Sequence, residues 1–457
     1  MKQPYSLEKK LIFKTSDIDD RIYLREQKGK FQQIRRSLGV ILIVIFALVP
    51  FIQFNGAQAI YFDILQQQVH FFSLTLFPQD LLILCLVFIL AAFLLFYITK
   101  FYGRVWCGFT CPQTIWMLMF NWIERRIEGP PNKSKYLNSQ PLSLNKLYKK
   151  ALKHFIWGVV SLLTSLVFMS YFITIDELYL PFFSFNASET TVYWVLFFAV
   201  CTYINAGWIK DKMCQHMCPY SRIQSAMFDK STKLVSYDKI RGESRGARKH
   251  SQSKPEGMGD CVNCDLCVQV CPVGIDIRDG LQYECINCGL CADACDMTME
   301  KFNYQKGLIS FTNEIPANNN WKRHLGYGSV VTIIVVSMLI WVNVWQNFEV
   351  NIIRDRQTLY SINQFGDIEN TFLFKVRNKS NLPKFYQIKV GGLENAKITS
   401  LSTIRVLPGE LKISSITVAV AEPLHEYRYQ LNFKITEING KRSIMKKTSF
   451  YSSNKDW

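Results

Sequence analysis

Eight cysteines lie between Cys261 and Cys295, spaced C-x2-C-x2-C-x3-C-P and then C-x2-C-x2-C-x3-C. The first group is Cys261, Cys264, Cys267 and Cys271, with Pro272 after it; the second is Cys285, Cys288, Cys291 and Cys295. This spacing holds two [4Fe-4S] clusters in bacterial chains, with the last cysteine of each group crossing to the other cluster. The expected sets are therefore Cys261, Cys264, Cys267 and Cys295 for one cluster, and Cys285, Cys288, Cys291 and Cys271 for the other. Gly274 and Gly289 leave the turns room around the sulfurs. Structural zinc also uses C-x2-C pairs, but two interlocked quartets with an x3 fourth spacing are not its pattern. The second group ends in Cys295-Asp296 where proline is commoner, which alters none of the ligands. The segment is built to carry electrons.

The rest of the chain reads as a membrane protein. Of 457 residues, 49% are hydrophobic, and five stretches approach the roughly 20 apolar residues needed to cross a bilayer: 38–54, 81–99, 154–175, 191–209 and 327–345. The net charge of +17 invites comparison with nucleic-acid binders, but its distribution argues against them. Residues 1–37 hold ten Lys and Arg and residues 100–153 hold ten more, while 55–80 and 176–190 hold none. That asymmetry places the N-terminus in the cytoplasm of a bacterial inner membrane. The cysteine-rich insert then lies inside, in a reducing compartment unsuited to disulfides, and the tail lies in the periplasm. Basic charge here sets orientation and meets anionic lipid.

The tail changes character. It holds no cysteine, and it alternates apolar and polar residues, as in Thr371–Arg377 and Leu411–Val418, with turns at Pro408-Gly409 and Asn378–Asn381. Asn439-Gly440 between two such runs is a strong hairpin signal. The expected fold is thus a polytopic α-helical membrane protein of five spans, with a cytoplasmic two-[4Fe-4S] ferredoxin-like insert and a C-terminal immunoglobulin-like β-sandwich. The divisions are a tail (1–37), a four-span region (38–209), a second cysteine motif with a basic linker (210–256), the cluster domain (257–312), a linker with the fifth span (313–345) and the β domain (346–457).

A second cysteine constellation repeats. Cys107 and Cys111 form C-x3-C-P after the second span, and Cys214 and Cys218 form it again after the fourth. Residues four apart share a helical face, so four thiols can converge if the two halves pack as a pair. Soft sulfur selects Cu(I), zinc or iron–sulfur over hard cations, and Met213, His216 and Met217 add potential copper ligands. A redox-active dithiol and inert buried thiols are the other readings, and spacing leaves all of them open. Arg104, Lys210 and Lys212 lie near enough in sequence to favour thiolates. His70, His154 and His324 stand at span edges, where interfacial roles outweigh haem ligation. Glu124–Gly129 reads as a solvated amphipathic turn, and Arg241–Gly246 as a linker folded on the insert or free beside lipid.

Taken in order, Gly103–Trp116, Cys218–Asp229, Arg241–Gly246, Gly259–Asp296 and Lys306–Ile309 resemble the FixG/RdxA/CcoG family of cytochrome c oxidase accessory proteins. The resemblance runs over nearly the whole chain. It implies two [4Fe-4S] clusters and a cupric reductase activity supplying Cu(I) for assembly of a cbb-type oxidase. It implies functional roles for Cys107, Cys111, Cys214 and Cys218, and as partners the copper-handling and oxidase-assembly proteins together with a cytoplasmic electron donor. A homodimer stays open. Two other functions compete: a quinol dehydrogenase, and a non-catalytic assembly scaffold. The charge asymmetry also makes a direct prediction. A periplasm-active reporter fused after Trp457 should be active and one fused at Gly257 silent; the reverse pattern would overturn the orientation.

Overall fold

The computed structural model describes residues 24–54, 57–72, 74–229, 231–250, 254–313, 321–355, 358–380, 382–393, 395–421, 424, 426–438, 440 and 442–452. Among the described residues five helices are long and apolar enough to cross a membrane: Lys30–Phe51, Leu81–Tyr102, Leu144–Met169, Glu189–Ile209 and His324–Val344. The chain is an integral membrane protein. Span ends differ from the apolar runs where polar partners, not hydropathy, set them. The first span begins at Lys30, well inside the charged segment. The third starts at Leu144, where the Ser143 hydroxyl accepts from the Lys146 amide at 3.2 Å, an N-cap of the usual kind. It stops at Met169, and Ile175–Phe183 forms a separate short helix.

Between the second and third spans, Pro112–Glu128 forms a helix that packs Phe120 and Ile123 against Trp157 and Ala206. Its C-terminal end is not the solvated turn expected. Glu128 is buried, accepts from Ser134 Oγ at 2.7 Å, and pairs with Lys150 at 2.7 Å and buried Lys153 at 2.9 Å. Glu124 pairs with Lys210 at 2.8 Å. The fourth span ends in π-helical turns at Ile204–Ile209, followed by a second π segment at Met213–Met217. Such irregular turns re-aim side chains and cluster at functional sites.

The insert is closed by two strands, Leu234–Tyr237 and Ile309–Thr312, paired antiparallel on either side of the cysteine run. Arg241–Gly246 folds onto it: the Arg241 guanidinium donates to Asp260 at 2.6 Å, and the Gly259 amide donates to the Ser244 carbonyl at 3.0 Å.

The second compact unit comprises residues 51–84 and 337–457. Its tail is an immunoglobulin-like sandwich. One sheet orders Lys397–Ile398, Leu411–Val420, Ile368–Asn378 and Phe348–Arg354, with Ser361–Ile362 added to Ile368–Asn378. The other orders Thr403–Val406, Lys384–Gly391, Arg428–Glu437 and Ser443–Tyr451. Strict alternation along Ile368–Asn378 sends Phe372, Phe374 and Val376 inward onto Leu431, Phe433 and Ile435. Thr436 pairs with Ser443 across the hairpin expected at Asn439-Gly440; Asn439 itself lies outside the described residues. The segment 51–84 belongs to this unit, tied to it by Lys379 Nζ on the Asp80 carboxylate at 2.9 and 3.0 Å.

Burial raises the Glu128 carboxyl, but hydrogen bonds from Lys150, Lys153 and Ser134 outweigh it and hold it at about 2. A folded-state value below the ordinary one means that this stability is complete above pH ~4.5 and is lost as pH falls towards 2. Replacing Glu128 by Ala takes from buried Lys153 its nearer partner and leaves it only Glu124, at 3.7 Å, which should cost about 3 kcal/mol, the low end for a broken buried pair. Thermal unfolding in detergent should show a lower melting temperature for E128A at pH 7, the gap narrowing in acid. An unchanged melting temperature would contradict this.

Candidate functional site

The two cysteine groups fold as copies of one loop. Asn263 and Asn287, each just before its group's second cysteine, take left-handed backbone, and so do Asp265 and Gly289 just after it. Asp265 and Gly289 then open the helices Leu266–Gln269 and Leu290–Lys301. At Gly289 the need for glycine is doubled, because a Cβ would stand 2.8 Å from the Phe31 ring. Asn287 is buried and fully employed: its Oδ1 accepts from the Val235 amide at 2.7 Å, and its Nδ2 donates to the Tyr102 carbonyl at 2.8 Å.

Each loop sends three cysteines to one small cavity and its fourth to the other. Cys271, Cys285, Cys288 and Cys291 line the first of these cavities, and Cys267 lines it as well as the second. Cys261, Cys264, Cys267 and Cys295 line the second. Burial pushes the Cys267, Cys271 and Cys295 thiols up to about 12 and Cys285 up to about 11. Neighbouring cysteines add to the effect: Cys288 and Cys285 act on Cys271, and Cys267 and Cys261 on Cys295. Buried thiols that oppose one another's ionisation are the donor set for a cationic iron centre, which deprotonates its ligands outright. Among the described residues no three Cys, His, Asp or Glu side chains are gathered on a point that could hold a single ion. A cubane, ligated at its four corners, asks for a wider spread. The residues fit two [4Fe-4S] clusters.

Buried arginines flank both quartets. Arg278 donates to Asn263, Asp265 and Asp276 at 2.6–2.8 Å and lines the cavity of Cys261. Arg104 donates to the Tyr283 carbonyl at 2.7 Å and to the Ser221 carbonyl, with its guanidinium 4.9 Å from the Tyr283 ring centre. It thereby ties the first C-x3-C-P motif to the helix after the second and to the cluster loop. Arg35, at the start of the first span, is buried beside Cys288 and Cys271. Sequence reading took Arg35 and its neighbour Arg36 only as orientation charges, because partners some 250 residues away leave no local signal.

The two C-x3-C-P motifs share one geometry, though not the single helical face expected. Cys107 lies in the short helix Val105–Phe109, and Cys111 is the N-cap of Pro112–Glu128. Cys214 lies in the π segment, and Cys218 is the N-cap of Pro219–Ala226. Proline starts each following helix, where its missing N–H costs nothing. The four thiols are linked as neighbours through Cys214: Cys107 feels Cys111 and Cys214, and Cys214 feels Cys111 and Cys218. Met213 is half-buried, whereas His216 and Met217 are exposed. The thiolate-favouring electrostatics expected of Arg104, Lys210 and Lys212 do not prevail. Burial, reinforced by the neighbouring cysteines, pushes Cys107 and Cys214 up to about 12. Arg104 opposes this only weakly, and Lys210 is engaged by Asn121 and Glu124. The Cys107 thiol donates to Gln224 Oε1 at 3.3 Å.

His154 and His324 each hydrogen bond a tyrosine, Tyr203 at 2.7 Å and Tyr97 at 3.0 Å, while His70 meets Thr75 at 3.2 Å.

The membrane cysteines touch the cluster loop. A Cβ at Gly108, the residue after Cys107, would fall 2.8 Å from the Ile286 carbonyl oxygen and 3.0 Å from Cys288 Cα. Backbone cannot yield as a side-chain tip does, so Gly108→Ala should displace the Cys285–Cys291 loop. Iron in anaerobically purified G108A should fall from about eight towards about four per chain. Gly158→Ala, with nothing within 4 Å of its Cβ, is the control. Full iron content in G108A would refute the contact.

Comparison with known proteins identifies both the cluster domain and the β domain. Residues 209–314 match a family model described as a 4Fe-4S dicluster domain, and residues 338–453 match one described as an IG-like fold at the C-terminal of FixG. The chain is 30% identical over 419 residues to "Nitrogen fixation protein FixG" of Rhizobium meliloti, covering 82% of this chain and 80% of that one. It is 31% identical over 388 residues to "Protein RdxB" of Cereibacter sphaeroides, covering 81% of each. A solved structure titled as a FixG-related protein from Vibrio parahaemolyticus aligns at 26% identity and TM-score 0.22, over 24% of this chain and 99% of that one.

Proposed function

The chain belongs to the FixG family, and on that premise we propose that this membrane iron–sulfur electron-transfer protein is a cupric reductase that supplies Cu(I) for assembly of a cbb-type cytochrome c oxidase. Cys261, Cys264, Cys267 and Cys295 hold one [4Fe-4S] cluster, and Cys271, Cys285, Cys288 and Cys291 hold the other. When bound, each cluster supplies one electron at a time.

The observation that carries the reading is the contact at Gly108, where the turn bearing Cys107 lies against the backbone of Cys288. Cys107, Cys111, Cys214 and Cys218 take Cu(II) as substrate beside that contact, two thiols at a time since no three of them meet on one point, and retain the Cu(I) product, which soft sulfur favours. One electron converts each Cu(II) to Cu(I). Because burial holds the Cys107 and Cys214 thiols protonated, binding expels protons, and copper uptake strengthens as pH rises. The cysteine motifs and the insert face the cytoplasm, and the β domain faces the periplasm. Supporting that orientation, residues 51–84 and the tail form one compact unit, as segments sharing a side of a five-span chain can. Partners are the copper-handling and oxidase-assembly proteins that accept the ion.

Substituting Cys214 and Cys218 together by Ser should leave iron content intact. It should slow reoxidation of dithionite-reduced clusters by Cu(II) at least tenfold, followed by cluster absorbance with a Cu(I)-specific chelator present. Reoxidation at the parent rate would remove the paired cysteines as the copper site.

A further inference from the structure

A cavity of about 400 Å³ lies at the N-terminal end of the first span, bounded by that helix, by Pro112–Glu128 and by the chain before the span. Its volume falls within the ~300–1,000 Å³ typical of small-molecule sites. Val40, Ile43, Leu118, Met119 and Trp122 give it an apolar wall. Arg35, only 1% exposed, also lines it, and so does Gln32. Among the described residues none of the three Arg35 guanidinium nitrogens has a hydrogen-bond partner, and neither has Gln32 Oε1. Such groups are costly to leave buried and unpaired, a charge above all. The acids that line the cavity are committed elsewhere: Glu26 to Arg36 and Arg125, Glu124 to Lys210 and Lys153.

What lies behind the cavity narrows the ligand. Leu290 is a wall both of this cavity and of the one lined by Cys271, Cys285, Cys288 and Cys291. A molecule seated against Arg35 is therefore one side chain from the second thiol quartet. It needs an apolar body, an oxygen to accept from Arg35 and a hydroxyl to donate to Gln32. A phosphodiester headgroup could also accept from Arg35, but it has no use beside a redox centre.

We propose that this cavity binds a membrane hydroquinone as the electron donor to the clusters. The proposal rests on reading the two quartets as electron carriers and is independent of copper as acceptor. In the reaction both O–H bonds of the hydroquinone break and a carbonyl forms at each oxygen. Two protons leave to water at the cavity mouth beside Glu26, and two electrons pass on, one to each cluster. Arg35 holds the oxygen nearer Leu290, and Gln32 accepts from the other hydroxyl or, after turnover, releases it.

The test uses full-length, anaerobically purified protein with both clusters in nanodiscs. Menadiol is mixed with oxidised protein and menadione with dithionite-reduced protein, each followed by cluster absorbance. The parent should be bleached by menadiol and reoxidised by menadione. Gln32→Leu removes the acceptor, and Gly39→Leu narrows the cavity; a Cβ at Gly39 meets nothing closer than Ile115 at 3.7 Å, so it should fold. Both should slow the quinone reactions at least tenfold while keeping full iron. Variants that react at the parent rate, or a parent that reacts with neither compound, would overturn the site. A parent oxidised by menadione but never bleached by menadiol would overturn the donor role. Arg35→Met that shifts only the midpoint potential, with Q32L and G39L at parental rates, would make Arg35 a partner of the cluster alone. Phosphatidylglycerol retained by the parent and lost from R35M in native mass spectrometry, with quinone rates unchanged, would make the cavity a lipid site. Failure of Cu(II) reoxidation in a parent that still reacts with quinone would strike the copper reading and leave this one standing.

Discussion

The backbone-to-backbone approach at Gly108 sets the terms for the rest of the membrane half. A turn that carries a thiol can lie on the Ile286–Cys288 loop only if the residue between has no side chain. Everything around it serves to hold that approach. Arg104 fastens the turn to the Tyr283 and Ser221 carbonyls, and Asn287 fastens the loop to the end of the second span at Tyr102. Each bond joins segments more than a hundred residues apart. Such ties satisfy buried polar groups that would otherwise be expensive, and they specify one arrangement in preference to a family of looser ones.

The charges divide by depth. At the bundle edge Glu128, Lys150 and Lys153 neutralise one another, and Lys153 and Lys210 also stand 4.7 and 5.5 Å from the Trp157 ring centre. Around the thiol quartets three buried arginines, Arg35, Arg104 and Arg278, face groups that become anionic once they ligate metal, with the buried Asp293 carboxylate as the anionic exception. Positive charge near a cluster favours its reduced form, so these arginines act on when an electron stays as well as on how the loops are held.

Much of this was legible in the chain. Cysteine spacing is a local rule with one physical cause, and it placed both quartets. Five apolar runs announced five spans, because a bilayer demands length and hydropathy alone. Alternation in 346–457 announced a sandwich. What local pattern could not reveal was partnership across sequence. Glu128 looked solvated because its lysines lie on another helix. Arg35 looked like an orientation charge because Cys271 and Cys288 are far along the chain. Residues 51–84 looked like a plain connection, since only the fold brings Asp80 to Lys379. The motif cysteines looked able to hold thiolates because nearby basic residues are visible in sequence and burial is not.

The start of the first span is completed from the far end of the insert. No side chain of its own caps it; the Phe31 and Gln32 amides donate instead to the Asp293 carboxylate, at 3.2 and 2.9 Å, from positions 262 and 261 residues earlier. At ~5–20 residues per second, synthesis of that interval takes on the order of tens of seconds. During that time the helix has left the ribosome with its terminal amides and dipole unanswered. Asp293 sits between Cys291 and Cys295, so it is positioned only once the loop around those sulfurs is in place. The first helix thus waits for its cap on one of the last-made turns of the insert, and its seating is tied to the folding of that loop.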